Sequence, residues 1–216
     1  MILSPGRHYV FIHAPKTGGT AMALALEGRA MKDDIMLGDT PKALKRRRRL
    51  KDLQTKGRLW KHSTLADIDG LVPSLDDFFA FTLVRNPWDR MVSYYHWLRD
   101  QRFDHPAVAL AQQMEFVDFA CEKQVRASMQ TSSAKFYMTD ARGTERCDAY
   151  IRLEAFEHDA APLWDHLGFA LDLPRVNASD RAADYRDYYS DDARRAVAEA
   201  CAEDIARFAY SFDALV

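Results

Sequence analysis

A three-layer α/β fold, with a central, mostly parallel sheet flanked by helices, is the class this sequence predicts. Three apolar runs, at residues 8–13, 78–84 and 148–153, have strand character. Each is followed by a stretch with helical period, opened by turn or capping residues. The runs lie beyond the reach of a hairpin, and strands joined by long crossovers pair in parallel.

The elements follow in order. Residues 8–13 form a short buried strand, and a helix over 18–30 places Ala21, Leu24 and Ala25 on one face. Thr40 and Pro41 suit an N-cap and first helical position, opening a helix to about Lys56 that Gly57 ends. Within it, Lys42 to Lys51 is a dense basic run, either a solvated helix face or a landing strip for a negatively charged acceptor or polymer. Phe78 to Val84 is continuously apolar, as in a central parallel strand covered on both faces. Pro87 then starts a helix that Trp88 to Arg99 continue. Residues 107–125 read as one helix, with Met114, Val117, Phe119 and Cys121 facing the core. Residues 148–153 give the third strand, and a helix from about Glu154 to Leu167 closes at Gly168. Ser190, Asp191 and Asp192 cap a last helix running to about Phe208.

Composition narrows the function. Of 216 residues, 48% are hydrophobic and 29% charged, ordinary for a soluble globular chain. No repeat or low-complexity linker interrupts it, so a single domain over residues 1–216 is expected. A net charge of −2 argues against a dedicated nucleic-acid binder. The three cysteines show no metal-ligand spacing and suit a reducing compartment. Met1 to Arg7 carries no signal core, and no stretch approaches the roughly 18 apolar residues of a membrane span. A cytoplasmic location is expected.

Two segments carry the chemistry. After the first strand, Pro15-Lys16-Thr17-Gly18-Gly19-Thr20 runs straight into a helix. Unpaired backbone N–H groups, glycines that allow close approach, one lysine and two hydroxyls make this turn a phosphate or sulfate cradle. After the second strand comes Arg85-Asn86-Pro87-Trp88-Asp89-Arg90-Met91-Val92-Ser93. Arg85 leaves the strand with a guanidinium fork suited to phosphate oxygens, and Ser93 adds a hydroxyl two turns into the helix. Two anion-holding corners on one sheet call for a ligand with two separated anionic groups.

Together the two segments resemble the carbohydrate-type branch of the sulfotransferases that use 3′-phosphoadenosine 5′-phosphosulfate (PAPS). The motifs of that branch read much like His-x-Pro-Lys-Thr-Gly-Gly-Thr and Arg-Asn-Pro-x-x-Arg-x-x-Ser. The resemblance implies a P-loop-like fold, with Pro15, Lys16, Thr17, Gly18, Gly19 and Thr20 on the 5′-phosphosulfate. It places Arg85 and Ser93 on the 3′-phosphate. Arg152-Leu153-Glu154 with Asp159, Val176-Asn177-Ala178-Ser179, and the segments 185–189 and 204–212 extend the likeness over nearly the whole chain. The ATP-type loop G-x-x-x-x-G-K-[ST] is absent, because Lys16 precedes the glycine pair.

The resemblance also implies a mechanism. Lys16 would stabilise the charge that builds on the leaving oxygen, by analogy with phosphoryl transfer. His62, lying between the motifs as a catalytic histidine does in several relatives, would be the base, or else a residue that only caps or packs. His13 reads as a buried hydrogen-bonded partner. Arg85 either binds phosphate or pairs with Asp89, and Ser93 either binds phosphate or is exposed. Trp88 could stack near the adenine or belong to the core, and Arg152 could pair with Glu154 beside the acceptor. Sulfate carries less charge than phosphate, so no metal is expected. The partners are PAPS, its product 3′-phosphoadenosine 5′-phosphate (PAP) and an acceptor the sequence does not identify; oligomeric state is not legible. An ATP-dependent phosphotransferase and a non-catalytic anion-binding module are the rival readings.

Overall fold

The computed structural model describes residues 1–51, 53–174, 176 and 181–213. Its strands are β1 (Ile2–Ser4), β2 (Tyr9–Ile12), β3 (Ile35–Met36), β4 (Phe79–Val84) and β5 (Ala149–Arg152). Its helices are α1 (Gly19–Gly28), α2 (Pro41–Arg46), α3 (Pro87–Arg99), α4 (Pro106–Gln113), α5 (Phe116–Cys121), α6 (Lys123–Gln130), α7 (Ala134–Met138), α8 (Phe156–Asp159), α9 (Ala161–Leu167), α10 (Asp191–Ala200) and α11 (Ala202–Phe208). They form two compact units: Met1–Val84 with Ala134–Val176, and Arg85–Ser133 with the described part of Asn177–Val216.

The first unit holds the sheet, in the order β3-β1-β2-β4-β5. β2 pairs in parallel with β4, and β4 with β5, while β1 runs antiparallel to both β2 and β3. It follows that β3 points the same way as β2, β4 and β5, and the sheet is mostly parallel, as the sequence predicts. β2 is buried throughout and β4 nearly so, which explains why both read as unbroken apolar runs. At β5 burial alternates, with Ala149 and Ile151 inward, because it is an edge strand. One side of the sheet packs Phe11, Phe81 and Ile151 against Met22 and Leu26 of α1 and Leu163 of α9. The other packs Val10, Ile12 and Ala80 against Leu65, Ile68 and Met138. The register sets Ile12 beside Thr82, and the Thr82 hydroxyl donates to the Ile12 carbonyl at 2.8 Å.

In α1 the buried side chains are Met22, Ala23 and Leu26, whereas the expected Ala21, Leu24 and Ala25 are only half-buried. Gly19 is also buried, and residues 19, 22, 23 and 26 share one helical face. The phase of α1 is therefore set by its first residue.

The second unit is helical. Trp88, Met91, Val92, Tyr95 and Leu98 of α3 pack with Phe116 and Phe119 of α5 and with Val197 of α10. Asn86 caps α3 by accepting from the Trp88 N–H at 3.1 Å, and its amide donates to the Tyr185 hydroxyl and the Ser211 carbonyl.

Several helices are shorter than expected. The basic helix stops at Arg46 and tightens into a 3-10 turn over Arg47–Leu50. Like charges three and four apart repel along a helix, and farther on Lys56 and Gly57 donate instead to the carbonyls of Asp69 and Asp67. The stretch 107–125 divides at Met114, Glu115 and Glu122, whose backbones are extended. Each piece thereby turns its own apolar face to one core. A 3-10 turn at Leu153–Ala155 precedes α8, and Cys201 separates α10 from α11. Of Val176-Asn177-Ala178-Ser179, residues 177–179 lie outside the described residues. Among the described residues no helix is long and apolar enough to cross a membrane.

The Thr82 hydroxyl joins two central strands where both approach their functional ends. Thr82→Val keeps the shape and removes a buried donor, so urea denaturation should show a loss of about 1–2 kcal/mol.

Candidate active site

In the first unit the site begins where β2 ends. The chain turns through His13 to Gly18, and Gly18, at φ 87°, caps α1 from a left-handed conformation. Lys16 is also left-handed, at φ 65°. For a residue with a side chain this costs about 1–2 kcal/mol. The turn is held by Thr17, whose buried hydroxyl donates to the Ala14 carbonyl at 2.9 Å. The single hydroxyl proton is thus used inside the loop. The N–H groups of Gly19 and Thr20, in the first turn of α1, have no intrahelical acceptor. They and the helix dipole favour an anion at this corner.

No side chain fits on the floor of the cradle. A Cβ at Gly19 would lie 2.0 Å from Cδ2 of His13 and 2.4 Å from its Nε2. One at Gly18 would lie 2.9 Å from Leu153 Cδ1. His13 itself is buried, stacks on Phe11 and meets His62 edge-on with ring centres 4.6 Å apart. Burial, foremost, holds its pKa well below the usual 6.5, with the charges of His62, Lys61 and Lys16 acting in the same direction. His13 is a neutral packing partner of the loop.

His62 sets its Nδ1 2.7 Å from the His13 carbonyl oxygen. A carbonyl only accepts, so Nδ1 carries the proton and Nε2 keeps the lone pair. Desolvation pushes the pKa of His62 down to about 4; its bond to His13 opposes the shift, and Lys61 adds to it. At pH 7 the ring is neutral, with a defined tautomer.

The second unit holds the other predicted corner. Arg85, the residue after β4, sets Nε and Nη2 at 2.7 and 2.6 Å from Oδ2 of Asp89, one turn into α3. The ion pair weighed as the alternative role of Arg85 is present. Asp89 is buried, and its other oxygen accepts from Arg181 at 2.6 Å. Two guanidinium groups therefore share one carboxylate, and Nη1 of Arg181 is buried with no hydrogen-bond partner among the described residues. Ser93 is 8% exposed on α3. Trp88 belongs to the core and donates from its indole to the Arg194 carbonyl.

The structure brings Pro15–Thr20 and His62 into one unit, and Arg85 and Ser93 into the other. The guanidinium of Arg152 grips Asp159 as a two-pronged fork at 2.7 and 3.0 Å. The pairing of Arg181 with Asp89, the partner of Arg85, is one that sequence reasoning misses. Asp89 lies 92 positions earlier, and nothing local distinguishes Arg181 from other arginines. Among the described residues no group of three or more His, Cys, Asp or Glu could hold a metal ion.

A glycine-floored anion cradle at the carboxyl end of a parallel strand defines an α/β protein of anion and nucleotide chemistry. The sequence pattern of the sulfotransferase family matches residues 1–211, and the chain belongs to that family. It is an enzyme of sulfuryl transfer. The chain is also similar to the crystal structure of mouse sulfotransferase SULT7A1 complexed with PAP. That likeness has 16% identity and a TM-score of 0.49, covering 94% of this chain and 85% of that one. Among curated proteins none matches this sequence.

Two outcomes follow from the packing. Gly19→Ala should cost about 1–3 kcal/mol in urea denaturation because buried His13 must move, whereas Gly28→Ala, whose new Cβ meets nothing within 4 Å, should not destabilise. His62 should titrate near pH 4 by nitrogen-detected NMR, as the Nδ1–H tautomer at neutral pH. The unfolded chain takes up this proton near pH 6.5, before the folded one does. The contribution of His62 to stability is therefore full above that pH and falls between about 6.5 and 4. His62→Gln should flatten that part of the profile.

Proposed function

We propose that this chain moves the sulfuryl group of PAPS to a hydroxyl or amine of a small polar acceptor, such as a carbohydrate, and releases PAP. The observation carrying this reading is the cradle with no side chain on its floor, where a Cβ at Gly19 would strike His13 at 2.0 Å, with Lys16 on its rim. In support, the backbone N–H groups there can approach tetrahedral anionic oxygens closely, which is what a phosphosulfate requires. When bound, PAPS supplies an activated sulfuryl group and a leaving phosphate.

In this reading, the N–H groups of Gly18, Gly19 and Thr20 hold the 5′-phosphate, with Pro15 and Thr17 fixing the turn. Lys16 places its ammonium at the bridging oxygen, where charge grows most on the way to the transition state, so its effect falls on turnover. His62 takes the acceptor proton on Nε2 while Nδ1 stays on the His13 carbonyl. Its low basicity in the free protein rises as anionic oxygens come near, since negative charge favours the imidazolium. Arg85 and Ser93 hold the 3′-phosphate, Asp89 orients Arg85, and Arg181 adds a second guanidinium. The two units act as a single sulfotransferase domain.

Lys16→Ala should lower kcat by about 10²–10³-fold and change PAP affinity far less, read by radiolabelled sulfuryl transfer and calorimetry. Arg85→Ala should weaken PAP by about 10–100-fold, yet leave adenosine 5′-phosphosulfate, which lacks the 3′-phosphate, nearly unaffected. Unchanged turnover in the first variant, or equal losses for both ligands in the second, would contradict these roles. Stabilisation by ATP with Mg²⁺ but not by PAP would favour a phosphotransferase.

A further inference from the structure

One large aromatic lies open to solvent beside the proposed base. Trp60 is 43% exposed. Its ring centre is 5.0 Å from that of His62, with the planes at 85°. A solvent-facing indole loses the free energy that burial of so large an apolar surface would give. The Trp60 backbone is nonetheless firmly held. Ser63, fully buried, shares its single hydroxyl proton between the carbonyls of Arg58 and Trp60, each at 2.9 Å, and accepts from the Trp60 N–H at the same distance. Before this turn, Gly57 packs so closely on Asp67 that a Cβ would lie 2.0 Å from its carboxylate oxygen. The indole is displayed from a fixed loop.

Its charged surroundings are equally specific. The Arg58 guanidinium carbon lies over the indole ring, 5.7 Å from its centre. Arg58 is exposed and makes no ion pair among the described residues. Lys61 and Asp39 neutralise each other at 2.6 Å. The uncompensated charge beside the indole is thus positive. The place is open and bordered by polar groups, unlike the enclosed apolar slot that suits a flat aromatic ligand.

We propose that Trp60 and Arg58 form the acceptor subsite, and that it takes a sugar ring bearing a negative group such as a carboxylate or sulfate. This rests on the sulfotransferase reading with His62 as base. The C–H face of the sugar lies on the indole, and its anionic substituent meets Arg58. A ring hydroxyl then stands within one ring's breadth of the His62 imidazole. In the transfer, the acceptor oxygen forms a bond to sulfur as the bond from sulfur to the phosphate oxygen breaks. Nε2 of His62 receives the hydroxyl proton, and the electron pair leaves with PAP. Trp60 and Arg58 touch the acceptor and do not react.

The test uses the full chain loaded with PAP. Binding of methyl β-D-glucuronide, methyl β-D-glucoside and 4-hydroxybenzoate is followed by saturation-transfer NMR, and sulfation by radiolabelled PAPS. The glucuronide should bind best. Trp60→Ala should weaken glucuronide and glucoside alike by at least about tenfold, with Trp60→Phe recovering most of the loss. Arg58→Gln should remove the preference for glucuronide over glucoside while leaving the glucoside unchanged. PAP affinity should stay the same in all three variants, which also shows that they fold. Full acceptor binding in Trp60→Ala, or equal effects of Arg58→Gln on both sugars, would overturn the subsite. Binding of 4-hydroxybenzoate in preference to both sugars would overturn the acceptor class. Failure of the unaltered chain to bind PAP would instead remove the sulfotransferase reading beneath it.

Discussion

Residue 19 has room for a hydrogen atom and nothing larger, and much of the first unit depends on that. The His13 ring fills the space where a Cβ would stand. This contact fixes the phase of α1, so that Met22, Ala23 and Leu26 face the sheet. It also holds the residue whose carbonyl receives Nδ1 of His62. One missing side chain thus links the direction of a helix, the floor of an anion cradle and the tautomer of His62. A glycine pair in a turn invites an explanation by φ, yet the left-handed φ belongs to Gly18, and the requirement at Gly19 is one of space.

The two units arrange charge in different ways. In the first, burial keeps both His13 and His62 neutral, so the lysine of the cradle has no imidazolium competing for the same anion. A neutral His62 with its proton on Nδ1 has one vacant lone pair to offer. In the second, Arg85 and Arg181 share Asp89, each pairing with one of its carboxylate oxygens. In the proposed reading, guanidinium groups oriented in this way suit a phosphate.

The legible parts of the fold are those written locally. The cradle and the Arg85 corner follow strands whose apolar residues are consecutive because β2 and β4 are central, and both appear as contiguous motifs. β1 and β3 escape a reading of the sequence, since strands of three and two residues have too little periodicity to register. The helices expected over 41–56 and 107–125 are too long. Propensity favours continuation, but repulsion in the basic run and the packing demands of Val108, Phe116 and Val125 end them. The placements of Trp60 and Arg181 are not legible in the sequence for a related reason. Their significance comes from His62 in one case and Asp89 in the other, and neither proximity is a matter of sequence pattern.

Thr17 and Asp89 clarify how such a site is prepared. Both belong to the motif segments, and each has a side chain suited to facing a ligand. Instead the Thr17 hydroxyl is spent on Ala14, and both Asp89 oxygens are spent on arginines. Groups satisfied inside the protein cannot bind anything else, but they hold neighbours in conformations that would otherwise relax. Lys16 shows the consequence, since its left-handed backbone is sustained by the turn that Thr17 closes. In the proposed reading, a backbone set before the ligand arrives lessens the reorganisation needed as charge shifts during reaction. In the same reading, the internal bonds of Thr17 and Asp89 serve the chemistry although neither side chain need touch the group transferred.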